Sequence, residues 1–82
     1  MNLTVDGHLR SKLNHQRILQ LVTKANQFNS YILIQFDTKT LNAKSLLSAC
    51  ALHGVSGPIR LHVHGDDSNQ ALHVLTSTLF EQ

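Results

Sequence analysis

The hydrophobic period along the chain changes several times, and each change marks an element. Leu3-Thr4-Val5 alternates, as a half-buried strand does, and Asp6-Gly7 is a turn signal that ends it. Residues 8–13 show no period and predict a loop. From Ile18 the apolar positions recur at three- and four-residue spacing, through Leu21, Val22, Ala25 and Phe28, which is one face of an amphipathic helix. Asn14 stands just before it, a residue suited to accept from the free N–H groups of a first turn. After Asn29-Ser30, Ile32, Ile34 and Phe36 alternate with Tyr31, Leu33 and Gln35 as a second strand. Asp37-Thr38-Lys39 turns the chain back into Thr40-Leu41-Asn42.

Ser45 opens the apolar run Leu46-Leu47-Ser48-Ala49-Cys50-Ala51-Leu52, short enough for two helical turns, and Gly54 closes it. Gly57-Pro58 reads as a turn; Ile59, Leu61 and Val63 then alternate with Arg60, His62 and His64. Asp67 and Gln70 have the spacing of a capping box ahead of the stripe Ala71, Leu72, Leu75 and Leu79. The order strand, helix, strand, strand, short helix, strand, helix predicts an α+β open-faced sandwich, a four-stranded antiparallel sheet covered on one face by helices. With 82 residues, residues 1–82 make one domain, close to the smallest that sustains a core.

Composition narrows the function. The chain is 41% hydrophobic and 15% charged, the balance of a folded rather than a disordered sequence. Its net charge of +2 comes from scattered Lys and Arg, with three Phe, one Tyr and no Trp. A nucleic-acid interface would cluster the charge and add stacking aromatics, so direct nucleic-acid binding is not expected. Cys50 is the single cysteine; it cannot form an intramolecular disulfide, and its apolar surroundings predict a buried, inert thiol in a reducing compartment. No run approaches the ~20 apolar residues of a membrane span, and the N-terminus lacks a signal-peptide pattern, so a cytoplasmic protein without membrane contact is expected.

No catalytic triad, phosphate-binding glycine loop or paired carboxylates occur, and no cofactor is implied. His62 and His64 point to the same side of a strand, a spacing that can hold a metal. No third ligand stands beside them, and no metal is expected. If Ile59, Leu61 and Val63 face the helices, both histidines face the open side of the sheet with Tyr31 and Leu33, where apolar residues can mark a self-association surface.

The element order and several segments resemble the histidine-containing phosphocarrier (HPr) family of bacterial sugar uptake. Leu21-Val22, Ala25 and Phe28 match the family's first helix. Asn42-Ala43-Lys44-Ser45-Leu46-Leu47 is very close to the segment around its regulatory serine. Gly65-Asp66-Asp67 with Ala71-Leu72 and Leu75 resembles its last strand-to-helix transition. The departure lies where HPr proteins carry Gly-Leu/Ile-His-Ala-Arg-Pro-Ala. Aligned without gaps, that motif falls on Lys12 to Ile18: Leu13 fits, Asn14 replaces the histidine, Gln16 the arginine and Arg17 the proline. An imidazole nitrogen can take a phosphoryl group near pH 7, whereas an amide nitrogen has its lone pair delocalised into the carbonyl. A competing alignment with one deletion restores His15-Gln16-Arg17; His15 would then be the acceptor, its phosphate stabilised by Arg17 and the helix N-terminus.

The resemblance also singles out Ser45, which in Gram-positive HPr proteins is the target of an ATP-dependent kinase. A phosphate there would bring nearly two negative charges beside Leu46, Leu47 and Cys50, residues that in the family belong to the partner surface. The plainer alternative is that Ser45 only caps the short helix. The resemblance therefore implies a regulatory or adaptor member of the phosphotransferase system whose partners are its other proteins, an HPr kinase or a transcriptional regulator. A carrier working through His15, or a diverged scaffold that associates weakly with itself, are the alternatives. The stretch from His8 to Lys12 reads as a longer loop than the family's and would hinder docking of enzyme I.

Overall fold

A computed structural model describes residues 2–80. The elements are β1 (Asn2–Leu9), α1 (His15–Ala25), β2 (Tyr31–Phe36), β3 (Lys39–Asn42), α2 (Leu46–Ala49) continued by a 3-10 turn (Cys50–Leu52), β4 (Gly57–His64) and α3 (Ser68–Phe80). The strands form one antiparallel sheet in the order β1-β4-β2-β3. Register places Val5, Leu61 and Ile34 in one row and Leu3, Val63 and Ile32 in the next. Because side chains alternate between faces, these rows bury one side of the sheet against Ile18, Leu21 and Ala25 of α1 and Ala71, Leu75 and Leu79 of α3. The other side is left open. This is the α+β open-faced sandwich that the hydrophobic periods predict.

Three boundaries differ from the sequence expectation. β1 continues through His8 and Leu9, which pair with Pro58 and Gly57, so the connection to α1 is the short stretch from Arg10 to Asn14 rather than a long loop from His8. The inward positions of β1 are Leu3, Val5, Gly7 and Leu9, and the glycine hides the period. The ring of Phe80 fills the missing side chain's place: a Cβ on Gly7 would overlap the Cζ end of the ring. Gly57-Pro58 is likewise strand, at a point where β4 has β1 on one side but β2 no longer on the other; a residue without an N–H is tolerated there. The β2–β3 turn is reduced to Asp37-Thr38, with Asp37 at φ 52°, the left-handed geometry of a two-residue hairpin.

Asp67 does not make a capping box. Its carboxylate reaches across to the chain after α1 and accepts from the Asn29 N–H (2.8 Å), the Ser30 N–H (3.0 Å) and the Ser30 hydroxyl (2.5 Å). Ser30 is fully buried, and these bonds satisfy it. Gly65 makes the approach feasible, since a Cβ there would stand 2.7 Å from the Ser30 Cα. The corner before α3 is thereby fastened to the start of β2.

Candidate functional site

Helix α1 begins where the Lys12–Ile18 segment meets two other parts of the chain. Leu13 is buried and bonded on both sides of its backbone, its N–H donating to the Val55 carbonyl (3.0 Å) and its carbonyl accepting from Gly54 (2.8 Å). That fixes Asn14, which has extended backbone angles and caps the helix: its side-chain oxygen accepts from the Arg17 N–H at 2.9 Å. The expected cap is thus in place, and the helix starts one residue later, at His15. Phe28, on the predicted stripe, falls in the turn beyond Ala25 yet still packs against the core.

The His15 side chain is exposed, and its ring makes no hydrogen bond among the described residues. Arg17 is committed elsewhere. Its guanidinium donates to the Leu79 carbonyl (3.1 Å), to the Ser11 hydroxyl (3.2 Å) and, more weakly, to the Ser11 carbonyl (3.5 Å). It ties the first turn of α1 to the preceding loop and to the last turn of α3. Sequence reasoning missed this role, because the acceptors are backbone and hydroxyl groups that leave no pattern in composition.

The second part of the site is α2. Ser45 has extended backbone angles, is half-buried, and accepts from the Ser48 N–H at 3.2 Å; it caps a single α-helical turn. The cap is braced: the Ser48 hydroxyl accepts from the Asn42 N–H (3.1 Å), and the Asn42 side-chain oxygen accepts from the Lys44 N–H (2.9 Å). Asn26 donates to the Lys44 carbonyl (3.0 Å), and the Lys44 ammonium donates to the Phe28 carbonyl (2.6 Å). Asn42 and Ser45 therefore brace the segment internally and Lys44 ties it to the chain at the end of α1, which gives their sequence a structural reason.

Beyond the cap, Leu47 is 89% and Leu46 42% exposed. Cys50 is exposed as well, contrary to the buried thiol expected from its apolar run. The tightening to a 3-10 turn sends Ala49 and Leu52, three apart, to the core, the side-by-side spacing of that helix type, and leaves Cys50 outside. Leu46, Leu47 and Cys50 together make an apolar surface that the fold does not use. Leu19 of α1 adds another exposed apolar side chain.

The paired histidines are far from this arrangement in chemistry. Both ring nitrogens of His62 are engaged, Nε2 with Gln35 Oε1 (2.9 Å) and Nδ1 with the Thr4 hydroxyl (3.1 Å). His64 stacks on Tyr31 with ring centroids 6.4 Å apart. No group of three metal-ligating side chains is found among the described residues, and no helix among them is long and apolar enough to cross a membrane.

Residues 9–81 match the family model described as PTS-HPr, the PTS HPr component phosphorylation site. The chain is 33% identical over 72 residues to the HPr-like protein Crh of Halalkalibacterium halodurans, covering 87% of this chain and 86% of that protein. Its fold is similar to the phosphocarrier protein HPr from Bacillus anthracis (TM-score 0.86, 27% identity, 95% of this chain and 96% of that one). It is also similar to Crh, a catabolite-repression protein of Bacillus subtilis, solved as an intertwined dimer with a swapped domain (TM-score 0.70, 29% identity, 85% of this chain and 82% of that one).

Proposed function

The chain belongs to the HPr family of the phosphotransferase system, and from that membership we propose that it is a regulatory or adaptor member rather than a phosphocarrier. It would act in the cytoplasm, where Ser45 is the regulatory phosphorylation site and Leu46, Leu47 and Cys50 form the docking surface. Its partners would be an HPr kinase, other proteins of the system, or a transcriptional regulator. The observation that carries this reading is the amide at Asn14: aligned without gaps, the family's acceptor histidine falls on a residue whose side chain caps a helix and offers no nucleophilic nitrogen. The exposed leucines beyond Ser45 give a partner something to bind. A phosphoserine at the cap would place about −1.5 to −2 charges next to them. Binding that buries Leu47 would then have to desolvate that charge or pair it, so phosphorylation changes which partner fits.

The competing carrier reading rests on His15, exposed at the first position of α1. It asks Arg17 to stabilise a phosphoryl group, and Arg17 would have to release the Leu79 carbonyl and Ser11 to do so. The adaptor reading needs no such rearrangement. The test is incubation with an HPr kinase and ATP, followed by intact mass and peptide mapping. One phosphoryl group on Ser45, absent in Ser45→Ala, is expected. An unlabelled protein beside a fully labelled authentic HPr would end the Ser45 proposal.

A further inference from the structure

The segment that carries Ser45 is held from outside by the end of α1. Asn26 caps α1, and its side-chain amide donates twice, to the Val22 carbonyl within the helix (2.8 Å) and to the Lys44 carbonyl beside Ser45 (3.0 Å). The Lys44 ammonium returns the contact, donating to the Phe28 carbonyl at 2.6 Å. These partners are 18 and 16 positions apart in the chain, so both lie outside the Asn42–Ser45 segment that they hold. Within it every backbone N–H has an acceptor. Asn42 donates to the Ser48 hydroxyl, Ala43 to the Ile32 carbonyl, Lys44 to the Asn42 side-chain oxygen and Ser45 to the Asn42 carbonyl. The Ala43 side chain is fully buried, and the Ser48 N–H, donating to the Ser45 hydroxyl oxygen, directs that oxygen. The serine is thus presented in one geometry, ordered by folding rather than when a partner binds.

We propose that Asn26 and Lys44 are positioning residues for the phosphorylation of Ser45, a role that rests on reading Ser45 as the regulatory site. In the transfer the Ser45 oxygen attacks the γ-phosphorus of ATP. The new O–P bond forms as the bond to ADP breaks, and the hydroxyl proton leaves to a base on the kinase. The oxygen has to lie in line with the leaving group, and the tie to α1 keeps the segment in the arrangement that allows it. Without the tie that arrangement is only part of a wider population, and the kinase selects it on binding. The loss then falls on KM, with kcat kept.

Initial rates of Ser45 phosphorylation by an HPr kinase with ATP, for wild type, Asn26→Ala and Lys44→Met, test it, together with amide hydrogen exchange of the free proteins. Each substitution removes one of the two bonds through Lys44. Each is expected to raise KM about fivefold, the factor for one such bond, at nearly unchanged kcat, and to speed exchange of the Ser48 N–H. Circular dichroism checks folding; the two variants cut the tie from opposite sides, so either one alone carries the test. Kinetics equal to wild type overturn the proposal. So does a raised KM with Ser48 exchange unmoved, which would mean that the kinase touches Asn26 or Lys44 itself. In both of those cases wild type is still phosphorylated on Ser45 and the regulatory reading stands. An unlabelled wild type beside a labelled authentic HPr removes that reading, and the positioning role with it.

Discussion

Arg17 is the residue on which the two functional readings diverge most sharply in physical terms. As a staple it holds the first turn of α1 to Ser11 and to the Leu79 carbonyl; as a phosphate ligand it would be free to turn toward His15. The substitution Arg17→Met separates these, because methionine keeps helix propensity and much of the aliphatic stem while removing the guanidinium. The bond to Leu79 joins a charged donor to a carbonyl but is only partly buried, which brings it down to about 1 kcal/mol net, and the exposed bond to Ser11 adds about 0.5 kcal/mol. The 3.5 Å contact to the Ser11 carbonyl is at the limit of a hydrogen bond and adds nothing to the sum. A loss of about 1.5 kcal/mol lowers the melting temperature of a domain this size by roughly 6–12 °C. Thermal unfolding followed by circular dichroism at pH 7 measures it. Ser11→Ala alone should cost much less, and combined with Arg17→Met should add nothing further. An Arg17→Met protein that melts with the wild type would refute the staple and return Arg17 to the carrier reading.

The Gly7–Phe80 contact predicts that Gly7→Ala displaces the half-buried ring and costs about 2 kcal/mol, roughly half of what a fully buried phenylalanine contributes; in Phe80→Ala the same substitution should be close to neutral, and equal costs in both backgrounds would remove the explanation of how β1 is held. The Asp67 carboxyl is kept below the ordinary carboxylate range by the Ser30 hydroxyl and then the Asn29 N–H. A depressed folded-state pKa stabilises the fold above the unfolded-state value near 4, and this is lost as pH falls through the folded-state value. Melting curves from pH 6 down to 2 should therefore fall less steeply for Asp67→Asn than for wild type, and parallel curves would contradict the assignment. Cys50, being exposed, should react with a disulfide reagent in the native protein at a rate that denaturant barely raises; a thiol that reacts only on unfolding would restore the buried thiol and shrink the docking surface.

The fold was largely legible because its core obeys two clean periods. Ile32, Ile34 and Phe36, and Ile59, Leu61 and Val63, alternate without interruption, and Ile18, Leu21 and Ala25 mark one side of a helix. The period failed at Gly7, where the inward side chain is supplied from α3, and at Gly57-Pro58, where turn-forming residues sit at the end of a strand. The capping box expected at Asp67 is a local pattern, whereas its partners, Asn29 and Ser30, are distant in sequence and bind through two backbone N–H groups and one hydroxyl. The site was legible in part. Asn14 and Ser45 cap their helices as residue type and position suggest. Arg17's tie to a carbonyl and the outward turn of Cys50 depend on tertiary contacts and on a change of helix type, and neither leaves a mark in the sequence.

The proposed function reads the amide at Asn14, the tied Arg17 and the apolar surface beyond Ser45 as those of an HPr-family member that is switched and bound rather than one that passes phosphate on. The most direct test is the intact mass of the protein after incubation with phosphoenolpyruvate and enzyme I, repeated after mild acid and for His15→Ala. No gain in mass is predicted while an authentic HPr in the same reaction is fully labelled. An acid-labile phosphoryl group that disappears in His15→Ala would contradict the account and make this chain a carrier.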